Sequence, residues 1–111
     1  MERGMRDRLG GALRELGEAA GGAGAVQAVA FAVVGGRPTF YMVVSGDRAD
    51  QLIGHGGNNA GYLRMLLRVR AGIEGWAGDP INMRVVRADV PVETMAVVTC
   101  SEVPRGAAWV A

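Results

Sequence analysis

The most informative part of the sequence is Leu52-Ile53-Gly54-His55-Gly56-Gly57-Asn58-Asn59. It contains an apolar pair, a loop bounded by glycines and the start of a second apolar repeat. On both sides of the loop, apolar residues recur at the three- and four-residue spacing that is typical of helices. Glycine between them permits a sharp turn and allows a ligand to approach the backbone closely. The stretch therefore predicts two helices joined at residues 54–57.

The helix before the loop is predicted over residues 47–52, with Ser45 or Asp47 as its cap. The helix after the loop is predicted over residues 58–71 and is the clearest in the chain. Its apolar positions are Ala60, Leu63, Leu66, Leu67 and Val69. It ends where glycine and proline accumulate, before residue 81.

Upstream of these helices, the sequence predicts one more helix and a β-hairpin. Leucines at positions 9, 13 and 16 share one face of a helix over residues 7–20. Residues 25–34 alternate in side-chain size and residues 39–45 are rich in β-branched and aromatic residues, and a Gly-Gly-Arg-Pro turn separates the two strands. The small alanine face of the first strand could let a helix approach closely. Alternation over residues 82–90 predicts a third strand.

The predicted order is helix, strand, strand, helix, helix, strand, which is an α+β class with a three-stranded sheet and three helices. A chain of 111 residues fits one domain. We place that domain at residues 1–93 and treat residues 94–111 as a C-terminal extension. The apolar run at residues 95–100 suits a fourth, edge strand.

Composition excludes several function classes. Half of the residues are apolar and 21% are charged, as in a packed domain. The net charge of +1 does not by itself mark a nucleic-acid binder. No apolar run approaches the roughly 20 residues that a transmembrane helix needs, and no signal peptide is recognised. We expect a cytoplasmic protein without a membrane partner.

Cysteine and histidine usage predicts neither a disulfide nor a metal site. Cys100 and His55 are each the only residue of their type, and they do not stand at metal-ligand spacing. No carboxylate, Ser or Cys is placed beside His55 in the sequence to support acid–base or nucleophilic catalysis. We therefore expect no enzyme activity and no cofactor.

The loop in its context resembles the KH fold, as found in small bacterial single-KH RNA-binding proteins and in Jag-like proteins. Residues 53–57, Ile-Gly-His-Gly-Gly, match the Ile-Gly-x-x-Gly loop of that family. The preceding helix and hairpin match the second KH topology. The resemblance implies a single-stranded RNA-binding module whose loop holds the backbone of about four nucleotides. In this chain His55 and Gly56 occupy the variable loop positions, where such families often place Lys or Arg.

The resemblance and the placement of arginines predict an RNA-binding site without catalytic or metal-binding residues. Arginines in the helix after the loop and in the third strand could flank a groove and contact phosphates. The predicted site consists of Ile53, Gly54, His55, Gly56, Gly57, Asn58, Arg64, Arg68 and Arg84, with Arg70 and Arg87 nearby.

Other interpretations remain open from sequence. The loop also suits a plain turn between helices, and the arginines also suit an ordinary solvated surface. The alternative function is a KH-fold protein–protein adaptor or oligomerisation module, with a second copy or a second KH protein as its partner. A small phosphate-binding enzyme is the third candidate.

Overall fold

A three-stranded sheet covered by three helices forms the described part of the protein. The computed structural model describes residues 1–87. In chain order, its elements are α1 (Arg3–Gly21), β1 (Val26–Val34), β2 (Arg37–Val44), α2 (Gly46–Ile53), a 3₁₀ turn (His55–Gly57), α3 (Asn58–Ile73) and β3 (Asn82–Arg87). The extension predicted at residues 94–111, its edge strand and the predicted end of β3 at residues 88–90 lie outside the described residues.

The sheet is mixed, with strand order β1-β2-β3. β1 and β2 form an antiparallel hairpin in which Phe31 is opposite Phe40. β3 runs parallel to β2 and places Met83 beside Phe40 and Arg84 beside Tyr41. A parallel neighbour requires a crossover, which α2 and α3 provide. The predicted α+β class and element order are confirmed.

Helix α1 begins at Arg3, four residues before the predicted start. The carboxylate of Glu2 accepts a hydrogen bond from the backbone N–H of Met5 at 3.0 Å and so caps the first turn. The earlier start was not predicted because the prediction rested on the spacing of leucines, and the first turn contains none. None of the helices within residues 1–87 is long and apolar enough to cross a membrane.

The core lies between the helices and one face of the sheet, which we call the helix face. Leu9 and Leu13 of α1 are fully buried there, as the leucine spacing predicts. The sheet contributes Val26, Val29, Phe31, Phe40, Met42, Val44 and Met83 to this core, and α2 and α3 contribute Ala49, Leu52, Leu63, Leu67 and Ala71. Phe31 and Phe40 meet edge to face with ring centroids 5.0 Å apart.

Close approach of α1 to the sheet depends on glycines of the helix, and not on the alanines of β1. A Cβ added at Gly17 would lie 2.5 Å from Sδ of Met42 and 2.7 Å from Cγ2 of Val26. These neighbours belong to the helix face. The expectation that a helix packs on the alanine face of β1 is therefore wrong for α1, since its glycines provide the required space.

Only one of the two apolar stripes on α3 is buried. Leu63, Leu67 and Ala71 face the core, whereas Leu66 and Val69 are exposed. Both stripes recur at helical spacing, so the pattern alone does not distinguish them. Of the apolar residues that predict this helix, Leu63 and Leu67 are core residues, whereas Leu66 and Val69 lie on the surface.

Candidate nucleic-acid interface

The loop between α2 and α3 is a tight turn made almost entirely by glycine backbone. The N–H of Gly54 donates to the carbonyl of Asp50 at 2.9 Å and closes α2, and the N–H of Gly57 donates to the carbonyl of Gly54 at 3.2 Å. Gly54, Gly56 and Gly57 all have positive φ, at 77°, 62° and 81°. The prediction of two helices joined at residues 54–57 is confirmed.

Gly54 is required by both conformation and space. Its φ of 77° and ψ of 174° lie in a region that is essentially restricted to glycine. A Cβ there would lie 2.7 Å from Cγ and 2.9 Å from the backbone nitrogen of Asn59. Asn59 in turn donates from Nδ2 to the carbonyl of Gln51 at 2.9 Å, which ties the start of α3 to α2. This structural role of Asn59 was not predicted from the sequence. The only feature that pointed to it was the position of an amide side chain directly after a glycine-rich loop.

Gly56 and Gly57 face open space. A Cβ at either position would meet no heavy atom within 4 Å. Packing therefore does not explain these two glycines, although their left-handed backbone favours glycine. The open space leaves their backbone accessible to a ligand.

α3 begins directly after Gly57, and the backbone N–H groups of its first turn point toward its N-terminal end, as in any α-helix. The N-cap is Gly57, so no side chain caps the first turn. The first N–H groups of a helix have no intrahelical acceptor, and the helix dipole places partial positive charge there. This end of a 16-residue helix is suited to an anion.

Arg64 and Arg68 extend from α3 toward β3 and are held by backbone carbonyls. Arg64 donates from Nε and Nη2 to the carbonyl of Met83, at 3.2 and 3.0 Å. Arg68 donates from Nε to the carbonyl of Ile81 at 2.8 Å. These bonds fix the guanidinium groups beside β3 without neutralising them.

Other arginines are paired with carboxylates. Arg8 contacts Glu74 at 3.0 Å, Arg14 contacts Glu18 at 3.7 Å, and Arg70 contacts Glu74 at 3.4 Å. Among residues 1–87, no acidic side chain forms such a pair with Arg64 or Arg68. The positive charge near the loop is thus less compensated than the charge along α1 and at the end of α3.

The charge of the described part is also more positive than that of the whole chain. Residues 1–87 contain eleven of the twelve arginines but only eight of the eleven acidic residues, which gives a formal charge of +3. Residues 88–111 carry three acidic residues and one arginine, and they lower the total to +1.

The remaining predicted site residues are placed in two groups. Ile53 is half-buried at the end of α2, and Asn58 is exposed at the start of α3. His55 lies in the 3₁₀ turn. Arg84 is exposed on β3 opposite Tyr41, and strand alternation from buried Met83 directs it to the face away from the helices. The loop and Arg64 and Arg68 therefore lie within the α2–α3 segment, whereas Arg84 lies on the sheet face away from the helices.

A second feature of α3 is an exposed apolar surface beside α1, which we call the α1–α3 surface. Its large side chains are between 44% and 76% exposed, and they are Tyr62, Met65, Leu66, Val69 and Ile73. A groove of about 420 Å³ runs between Leu66, Val69 and Ile73 on α3 and Leu16 on α1. Exposed apolar clusters of this kind often mark protein contacts.

Within residues 1–87, His, Cys, Asp and Glu side chains form no cluster of three or more that would hold a metal ion. No model of a known protein family matches the chain, and no curated protein matches it at a significant level.

Proposed function

We propose that this protein binds single-stranded RNA as a KH domain of the second topology, with the loop Gly54-His55-Gly56-Gly57 against the phosphate backbone. The observation that carries the proposal is the open face of Gly56 and Gly57, immediately before an uncapped helix N-terminus. Backbone N–H groups there are suited to donate hydrogen bonds to the oxygens of a phosphate. The element order and the Ile-Gly-x-x-Gly pattern support the KH assignment.

Arg64 and Arg68 extend this phosphate site along α3. A rise of 1.5 Å per residue places their Cα atoms roughly 9 and 15 Å from the first residue of α3. Because backbone carbonyls hold both side chains, little side-chain entropy is lost when they meet a phosphate. The proposed role of these arginines is to contact successive phosphates that leave the loop.

The loop itself is tested by replacing His55 and Gly56 with aspartate. We expect the double variant H55D/G56D to lose affinity for a fluorescent mixed-sequence single-stranded RNA, because negative charge then lies where a phosphate must approach. The fold should persist, since Gly56 faces open space and Gly54 and Gly57 are retained. Fluorescence anisotropy at low and physiological salt, together with a thermal melt, measures both outcomes.

The double variant V34D/G35D is the matched control. It adds the same charge at the hairpin turn, where Val34 is exposed and Gly35 has a φ of 57° and open space around it. The control should retain RNA affinity.

Equal affinity of H55D/G56D and parent, with unchanged melts, would show that the loop is only a turn. A parent that shows no salt-sensitive binding at low ionic strength would refute RNA binding.

The α1–α3 surface favours a second candidate function, a protein–protein adaptor or oligomerisation module. Leu66→Ser and Ile73→Ser remove exposed apolar area without adding charge and should leave the core intact. If RNA binding is the function, this double variant keeps the RNA affinity of the parent. If the adaptor function is correct, sedimentation velocity of the parent shows self-association that the variant lacks, and RNA binding is absent from both.

A further inference from the structure

The sheet has a second face, opposite the helices, that is buried over the middle of β1 and β2 although no described helix lies on it. Alternation places side chains of every second strand residue on this face. Arg84 of β3 is exposed there. The buried members on β1 and β2 are Ala28, Ala30, Ala32, Thr39, Tyr41 and Val43. None of the apolar members belongs to the core cluster that the helices form on the helix face.

All three helices are accounted for on the helix face. Positions Gly10 and Gly17 of α1 lie against Val29, Phe40 and Met42. Leu52 of α2 and Leu67 of α3 belong to the same core. Within residues 1–87 no helix is left to cover the second face.

The degree of burial nevertheless requires a cover. Ala30 is 0% exposed and Tyr41, a large side chain, is only 6% exposed. Val34 follows Ala32 on the same face near the hairpin turn and is 43% exposed. This larger exposed fraction is what an uncovered position on this face has. The cover therefore extends over the middle of β1 and β2 and stops before the hairpin turn.

We infer that residues 88–111 of the same chain cover the second sheet face, with the apolar run at residues 95–100 against Tyr41 and Ala30. This segment follows Arg87 at the end of β3, the strand next to β2. The run Met-Ala-Val-Val-Thr-Cys offers apolar side chains to a face of alanine, valine and tyrosine.

The length of the segment is sufficient. Neighbouring strands are about 4.8 Å apart, so the centre of β1 lies roughly 10 Å from β3 across the sheet. Residues 88–94 span up to about 24 Å when extended, and a six-residue run spans about 20 Å. The segment can thus reach the middle of β1 and cover the buried stretch. Residues 94–111 then belong to the domain and are not an appendage to it.

Thiol labelling in the full-length chain tests the inference. In a Cys100→Ser background, the variant A30C places one thiol on the second face, and the control variant A23C places one at an exposed site between α1 and β1. A30C should react with a maleimide roughly tenfold or more slowly than A23C, because labelling then requires local opening. Equal rates would overturn the inference.

Charge in the segment should remove this protection. Adding Val97→Asp to A30C is expected to raise its labelling rate toward that of A23C, while helical circular dichroism persists. If the fold is lost, the milder pair Val97→Ala and Val98→Ala provides the same test. Slow labelling that none of these changes affects would show that another element provides the cover. Protection that disappears on dilution would show that a second copy provides it, and either result overturns the inference.

Discussion

Gly17 of α1 and the loop glycines Gly56 and Gly57 have opposite surroundings. A Cβ at Gly17 would overlap Met42 and Val26, whereas a Cβ at Gly56 or Gly57 would meet nothing within 4 Å. The first arrangement serves packing, since it brings a helix close to a sheet. The second leaves backbone exposed, which packing does not require. Identical residues therefore mark the core in one region and a candidate ligand site in the other.

The arginines of α1 and α3 also differ in the groups that their side chains contact. Arg8 and Arg14 of α1 contact carboxylates, whereas Arg64 and Arg68 of α3 contact backbone carbonyls. Only the second arrangement keeps the full positive charge while fixing its position. The comparison identifies the α2–α3 region as the place where charge and exposed backbone coincide.

The largest expected effect is at Gly54, the loop glycine that resembles Gly17 in having no space for a Cβ. Gly54→Ala should lower the free energy of unfolding by about 3 kcal/mol, because strain from φ of 77° and ψ of 174° adds to the overlap with Asn59. Gly56→Ala should lower it by only about 1 kcal/mol, since its φ is strained but its surroundings are open. Urea denaturation measures both. Equal effects would remove the distinction between closed and open glycines within the loop.

A smaller effect is expected from Gly17→Ala, which should lower the free energy of unfolding by about 1–2 kcal/mol. Overpacking costs about 1–3 kcal/mol, and the higher helix propensity of alanine offsets up to about 1 kcal/mol of that. Gly11→Ala in the same helix is the matched control, because a Cβ there meets nothing within 4 Å.

Gly11→Ala should raise the free energy of unfolding by about 0.5–1 kcal/mol. The two variants should therefore shift the urea midpoint in opposite directions. A stabilising Gly17→Ala would contradict the close packing of α1 on the sheet.

The smallest expected effect concerns the arginines. Arg68→Gln should weaken the proposed RNA binding a few-fold and reduce the slope of log affinity against log salt by about 0.7, the value for one phosphate contact on a single strand. Arg70→Gln should leave the slope unchanged, because Glu74 already pairs with Arg70. Anisotropy titrations at several salt concentrations distinguish the two, and equal slopes would show that carboxylate pairing does not decide which arginines meet the RNA.

Much of the fold could be predicted from local patterns. The glycine cluster at residues 54–57 interrupts two apolar repeats, and glycine disfavours a continuous helix wherever it accumulates. The hairpin could be predicted because alternation and a Gly-Gly-Arg-Pro turn are signals within one short segment. Of the candidate site, the loop residues could be predicted for the same reason.

The partners of the long side chains could not be predicted. Arg64 and Arg84 looked equivalent in the sequence, but the parallel pairing of β3 with β2 directs Arg84 to the second sheet face while Arg64 bonds to Met83. Arg8 of α1 contacts Glu74, which is 66 positions away in the sequence. Such contacts depend on how elements pack, and spacing along the chain does not contain that information.

Local patterns were sufficient to predict the order of helices and strands and the position of the α2–α3 loop, because glycine content and apolar periodicity act over a few residues. They were not sufficient to predict which of two apolar stripes on α3 is buried, since Leu63–Leu67 and Leu66–Ile73 both recur at helical spacing and burial depends on where the sheet lies. Packing also distinguishes Gly17, which lies against the sheet, from Gly56, which faces open space. Every glycine has the same local backbone freedom, and its neighbours in space determine whether that freedom serves close packing or leaves the backbone exposed.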